Sequence, residues 1–437
     1  MNVRSSLSSI RPPLVAAACL ALLTSSVGAP GAAYGGPSAP RQPVHGKQVV
    51  TRLMRAFLAD RQPVQPLVAQ GSTPCVNGHA GQYPCRKVDL MAFLPLNQIG
   101  GGAGSNINGW TDPDTGNEYA IMGRSNGTAF VDITDPANPI YLGNLPTHTS
   151  TSSWREIGVY RNYAFVVCDQ CGNHGMQVFD LTQLRNVPTP PVTFSETTRY
   201  TGFLTTHTIT INADTGFAYA NGSNTCAGGP HMVDISDPLN PTFAGCNSID
   251  GYTHDNQCVI YSGPDAEHQG QEICFESNED TLTIVDVTDK SLPTIISRNS
   301  YQGVGYTHQG WLTPNQRHFV LDDELDEVFF SHNTWTRIFD VTDLDAPIVR
   351  SIFKSTTPAI DHNQYVVGNL VYQSNYRAGL RILKIPRVRE VAFFDIYPAD
   401  DGPDFNGTWG NYPFFESGIV IVSGIEQGLF ILKPTLP

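Results

Sequence analysis

A phrase recurs along this chain: an apolar strand closing on Asp, then a small hydroxylated residue and often Asp-Pro. It reads Phe130-Val131-Asp132-Ile133-Thr134-Asp135-Pro136, then Val178-Phe179-Asp180-Leu181-Thr182 and Met232-Val233-Asp234-Ile235-Ser236-Asp237-Pro238. It returns as Ile284-Val285-Asp286-Val287-Thr288-Asp289 and Ile338-Phe339-Asp340-Val341-Thr342-Asp343. Two further copies, Ile382-Leu383-Lys384-Ile385 and Ile431-Leu432-Lys433-Pro434, place Lys where Asp stood. From Asp132 to Lys433 the successive spacings are 48, 54, 52, 54, 44 and 49 residues. Short strands in a repeat of this length must bury their faces against neighbouring copies, which is the mark of a β-propeller. The expected fold is therefore all-β, a seven-bladed propeller over residues 75–437.

Turn signals such as Asp112-Pro113-Asp114-Thr115-Gly116 and Asn212-Ala213-Asp214-Thr215-Gly216 divide each copy into strands. Blade five is expected to run through Thr307–Leu312, His318–Leu321, Thr336–Val341 and Ile348–Lys354. The five repeated Asp residues are read as turn formers whose carboxylates accept nearby backbone amides. The last copy ends at Lys433 with no room for an outer strand. The stretch Lys87 to Leu96 resembles the outer strand Pro139 to Pro146, so an N-terminal strand is expected to complete the last blade and close the ring.

The N-terminus carries Arg4 and Arg11, an apolar run from Leu14 to Leu23, and small residues from Ser25 to Gly36. That order predicts a secretory signal peptide over residues 1–33, with cleavage after Ala29 or Ala33. Cys19 lies inside the apolar run, which argues against its being a lipid acceptor. Residues 34–74 read as a linker with one short amphipathic helix from Lys47 to Leu58, packed on the propeller rim or removed as a pro-segment. No other apolar stretch is long enough for a bilayer span. A net charge of −14 without a Lys/Arg stripe argues against nucleic acid and anionic membranes as partners. The mature protein is expected to be a monomer, secreted or periplasmic.

Setting Cys19 aside leaves eight cysteines, an even number suited to an oxidising compartment. Local pairing predicts Cys75 with Cys85, Cys168 with Cys171, Cys226 with Cys246, and Cys258 with Cys274. The Cys168-Asp169-Gln170-Cys171 spacing also fits a redox or zinc half-site, but a structural bridge is the better reading.

Several long phrases resemble a known family. The Ile-Val-Asp-Val-Thr repeat is similar to the LVIVD repeat. Asn278 to Val287, Tyr306-Thr307-His308-Gln309-Gly310-Trp311-Leu312, Asp323-Glu324-Leu325-Asp326-Glu327, Asp361-His362-Asn363-Gln364-Tyr365 and Tyr372 to Leu380 resemble the choice-of-anchor B family. The resemblance spans about Lys87 to Lys433 and implies an exported propeller with variable C-terminal anchors. It implies no chemistry.

Chemistry is suggested instead by histidine placement. Thr206-His207-Thr208, Thr253-His254-Asp255, Thr307-His308-Gln309 and Asp361-His362-Asn363 each open the innermost strand of a blade. Inner strands line the channel, so His207, His254, His308 and His362 are expected to converge and to bind iron, copper or zinc. The alternative is four channel-lining residues bonded to backbone or water. Asp255 and Asp361 are the expected hydrogen-bond partners behind the histidines. Trp154, Trp311 and Trp409 are read as a ligand platform on the same rim, or as blade-packing aromatics. Asp323, Glu324, Asp326 and Glu327 offer oxygens for calcium, yet a charge run of this kind is more simply a solvated loop. His174 and His332 read as surface or turn residues.

Two functions remain open at this level. One is an extracellular binding or interaction module acting through the channel rim. The other is a metal-dependent oxidoreductase with a four-histidine site. No nucleophile elbow, phosphate loop or HExxH motif is present.

Overall fold

The computed structural model describes residues 51–54, 56 and 67–436. They belong to one compact unit, 43–437. The signal-peptide reading and most of the linker reading lie outside the described residues. Of the expected short helix, Thr51–Met54 and Ala56 are described, and they are helical.

Seven antiparallel sheets follow one another along the chain. Their innermost strands are Gly104–Thr111, Arg155–Tyr160, Thr208–Asn212, Asp255–Ile260, Thr307–Leu312, Gln364–Val367 and Thr408–Tyr412, numbered here as blades 1 to 7. Each inner strand contacts the next, and that of blade 7 contacts that of blade 1, so the seven form a closed ring. Blade five runs Thr307–Leu312, His318–Asp323, Trp335–Asp340 and Ile348–Lys354, within two residues of expectation.

The residues just before the end of each third strand are apolar on both faces because they lie between neighbouring blades. Val131, Val233, Val285 and Leu383 are almost fully buried, and so are Phe130, Ile284 and Ile382. The Asp that ends this strand turns the chain. Asp132, Asp180, Asp234, Asp286 and Asp340 each accept the amide two residues on, at 2.8–3.1 Å. Just before that Asp, or the Lys that stands in its place in blades 6 and 7, the pairing with the outer strand slips by one residue in blades 1, 3, 4, 5, 6 and 7. Such a bulge bends and twists the edge of each blade.

The ring closes as expected. Val88–Pro95 pairs with Gly428–Pro434 as the outer strand of blade 7. The segment before it, Tyr83–Arg86, adds to the outer strand of blade 6, Arg389–Phe394. Gln70 and Thr73 already bridge to Phe93 and Leu90, so sheet contact begins ahead of Cys75. All four local disulfides form as paired above. Among the described residues, no helix is long and apolar enough to cross a membrane.

Candidate metal centre on the propeller axis

Blades 3 to 6 place a histidine at the same end of their inner strands. His207 and His254 directly precede Thr208 and Asp255, His308 is second in its strand, and His362 stands two residues ahead of Gln364. The four rings form an arc, with centroids 4.6, 4.1 and 4.5 Å apart in the order 207, 254, 308, 362. The convergence expected from the repeat is therefore present.

Each imidazole is anchored from behind through Nδ1. That nitrogen faces the Asp169 carboxylate in His207 (3.0 Å) and the carbonyl of His308 in His254 (2.8 Å). In His308 it faces Asp322 (3.3 Å), and in His362 the carbonyl of Trp409 (2.6 Å). All four partners are acceptors, so Nδ1 carries a proton, and wherever the ring is neutral Nε2 carries the lone pair. This is the arrangement that second-nitrogen hydrogen bonds impose on metal-binding histidines. Burial, reinforced by the neighbouring imidazoles, holds His308 well below the usual histidine range. Burial likewise lowers His362 to about 3. Both are neutral at physiological pH, as a ligand must be.

A local irregularity aims His308. The pairing of Thr307–Leu312 with His318–Asp323 slips between Thr307 and Gly310. Asp322 fills the gap, accepting the Gln309 amide at 2.6 Å while it faces His308. Two residues on, Glu324 lies between two imidazoles. Its Oε2 is 4.0 Å from His308 Nε2 and its Oε1 is 3.8 Å from His362 Nε2. Oε1 also accepts the Tyr376 hydroxyl at 2.7 Å. Burial raises Glu324 to about 7. Donor atoms of His308, Glu324 and His362 lie within 4.8 Å of one another, and all three residues are buried. His254 and His207 continue the arc beside them.

Two cavities of about 20 Å³ flank the rings. The helical residues Thr51 and Met54 line one of them, with Tyr306 and Tyr376. The other is lined by Trp154, Glu156 and Trp409. Glu156 also lines a third cavity of about 300 Å³, farther along the channel among Asp255, Gln309, Trp311 and Tyr365. The volumes fit an ion near the rings and a small organic ligand in the wide cavity.

Several expectations are corrected. Asp255 and Asp361 do not buttress the histidines, since side chains alternate along an extended strand and theirs point elsewhere. Asp255 accepts the Asn256 amide and lines the wide cavity. Asp361 meets Asp326 and Glu327. Trp154 and Trp409 line the cavity beside the rings, whereas Trp311 lies on the wide cavity and packs on Tyr365. The acidic run is no solvated loop: Asp323, Glu324, Asp326 and Glu327 are each at most 2% exposed. It does not converge on a single point either. Asp323 accepts the amides of Gly305 and Tyr306 and the Tyr301 hydroxyl, Glu324 faces the histidines, and Asp326 and Glu327 face Asp361. His174 is fully buried against Arg155 rather than at the surface.

Asp169 and Tyr376 escaped the sequence reading, and Asp322 entered it only as part of the acidic run, not as a partner of His308. Asp169 lies within the Cys168–Cys171 bridge, which drew attention to sulfur instead. Asp322 and Glu324 stand two apart at the end of the strand that pairs with the one bearing His308. Aligning that hairpin would have placed them.

Two segments, residues 116–147 and 277–300, match the LVIVD repeat. No curated protein is significantly similar in sequence. Among solved structures, the β-propeller domain of Cps50 (Swd1) from Myceliophteria thermophila is 13% identical with a TM-score of 0.51. It covers 77% of this chain and 99% of its own. Kuenenia stuttgartiensis hydrazine synthase is 9% identical with a TM-score of 0.51, over 73% of this chain and 93% of that one. At such identities the likeness shows the fold alone: this chain is a seven-bladed β-propeller with LVIVD repeats.

Proposed function

We propose that the protein is an exported binding module that holds one transition-metal ion between His308, His362 and Glu324. The wide cavity would admit a small extracellular ligand to that ion. One observation carries the reading: two neutral imidazoles, fixed from behind, direct Nε2 toward a carboxylate at 3.8 and 4.0 Å. These distances exceed a hydrogen bond. They fit two metal bonds of about 2.1 Å spanning a wide angle at one ion. Iron, copper or zinc suits the mixed nitrogen and oxygen donors. Export is supported by the Arg4-to-Gly36 pattern and by four disulfides.

The test is metal analysis of the purified protein after loading with iron, copper or zinc. Stoichiometric metal is expected, with loss in His308→Ala and in Glu324→Gln. Asp322→Asn should weaken affinity by roughly 10–100-fold, because it frees the His308 ring to turn. A protein that takes up no metal, with melting indifferent to chelator, overturns the reading.

A second reading, a metal-dependent oxidoreductase, is favoured by the donor set itself. Two histidines and one carboxylate leave coordination positions open, as in non-haem iron oxygenases. Oxygen consumption by the iron-loaded protein with an added reductant, abolished in His362→Ala, would support it. Stoichiometric iron without any such turnover leaves the binding module alone standing.

A further inference from the structure

The acidic run after the second strand of blade 5 folds inward and divides. Its last two members, Asp326 and Glu327, open a five-residue helix, Asp326–Phe330. There they meet Asp361, from the start of blade 6. One ligand atom from each of the three lies within 4.8 Å of the others. Each of these residues is at most 1% exposed.

Charge balance alone makes this place unusual. Asp322, Asp323, Glu324, Asp326 and Glu327 stand within six residues, Asp361 joins them from the next blade, and all six are buried, while the guanidinium of Arg337 pairs with Asp326 alone among them. Arg337 reaches Asp326 Oδ2 at 2.7 Å. A buried carboxylate without a counter-charge or hydrogen-bond donor costs several kcal/mol.

The independent sign of a ligand is what the oxygens lack. Asp326 Oδ1, both oxygens of Glu327 and both of Asp361 are buried without a well-formed hydrogen bond among the described residues, the polar groups beside them being each other and the Asp323 backbone. Asp323 and Glu324, by contrast, have theirs in full view: backbone amides and two tyrosine hydroxyls. Five such oxygens on three carboxylates, two of them able to bind through both oxygens, make an all-oxygen pocket.

We infer that Asp326, Glu327 and Asp361 hold a hard divalent cation, with calcium the ion they fit best. Calcium accepts oxygen donors at about 2.3–2.6 Å and tolerates bidentate carboxylates, whereas magnesium demands near-octahedral geometry and keeps several waters. The site is distinct in donor chemistry from the histidine centre, yet built on the same two chain segments. Glu327 lies three residues after Glu324, and Asp361 directly precedes His362. A cation here clamps blade 5 to blade 6 and fixes the backbone on which two of the proposed transition-metal ligands ride.

Calcium titration of the EGTA-stripped full chain tests this, read by calorimetry and by melting temperature. One ion is expected to bind, raising the melting temperature by roughly 3 °C at a hundredfold excess over Kd. Terbium, excited through nearby aromatic residues, provides an independent optical signal that calcium should displace. Asp361→Asn and Glu327→Gln should each remove the calcium-dependent shift. His308→Ala should retain it, which separates this site from the histidine centre. If one substitution prevents folding, the other decides. Melting that is indifferent to calcium in the stripped protein, with no terbium signal, overturns the inference and leaves shared protons as the neutralising charge. Calcium binding that survives both substitutions overturns it too.

Discussion

His231 shows what burial does to an imidazole that is not placed to bind metal. It lies in blade 3 between the Tyr200 hydroxyl at Nε2 and the Thr225 hydroxyl at Nδ1, both at 2.8 Å. The rings of Phe203 and Phe243 pack against it at 5.3 and 4.9 Å. Burial lowers its pKa to about 4. A histidine whose folded pKa lies below its unfolded value binds its proton more readily when unfolded, so stability is lost as the pH drops from 6.5 to 4. The sign is loss on acidification, complete below pH 4 and absent above about 6.5. His231→Gln keeps a neutral donor and acceptor but removes the titration. The stability lost between pH 7 and pH 5 should shrink by about 2 kcal/mol in the variant. Denaturant melts at the two pH values measure this, and equal losses in both proteins would refute it. At this scale the sequence was legible where a phrase repeats. The four axial histidines share a position in successive copies, so their convergence followed from the repeat alone. His174 and Asp322 occupy single, unrepeated contexts, and their burial depends on which neighbouring blade covers them.

At the scale of the element, the repeated Asp couples a strand end to a turn and has no part in the axial chemistry. Asp286 accepts the Thr288 amide at 2.8 Å, and Asp132 does the same for Thr134 at 2.9 Å. Losing one such bond at a partly exposed turn should cost about 1 kcal/mol. Asp132→Ala and Asp286→Ala lie in different blades with no shared partner, so the double variant should lose the sum, about 2 kcal/mol. Denaturant unfolding checks the additivity. Unchanged metal content in both variants would confirm that the repeat residue is architectural, and loss of metal would reverse that assignment. The strands of blade five were readable to within two residues because turn signals bracket each one. The bulges were not, since a one-residue slip before Asp leaves no mark in an apolar run. Nor was the detour in blade 2, where Val192–Thr193 leaves its own sheet to pair in parallel with the outer strand of blade 1. Its dependence on a neighbouring edge is invisible within the segment itself.

For the whole molecule, closure is the decisive feature. A ring of seven sheets keeps only the short outer edges of its blades when the last blade is completed from the other end of the chain. Seven residue pairs, from Val88 with Pro434 to Pro95 with Gly428, accomplish this. Phe93 stacks on Phe430 at 4.4 Å, and Tyr83 packs edge-on against the same ring at 5.2 Å. The same segment extends blade 6 through Tyr83–Arg86, and Cys75–Cys85 ties its two halves together. One stretch thus seals two blades. A chain beginning at Gly100 keeps every axial histidine and both candidate cation sites. It nevertheless leaves Gly428–Pro434 unpaired and exposes the flank of a strand whose Leu429 to Leu432 are fully buried in the intact ring. That edge should recruit a second copy, so size-exclusion chromatography is expected to show oligomers or aggregate in place of the form given by the full chain. Cys75→Ala keeps the strand but releases its tether. It should lower stability by about 2 to 3 kcal/mol, the entropy of a loop of this length, while the chromatographic profile stays that of the full chain. A truncated chain with the full chain's profile and unchanged melting would mean that the ring holds without its closing strand. The convergence of the axial histidines would then need another cause.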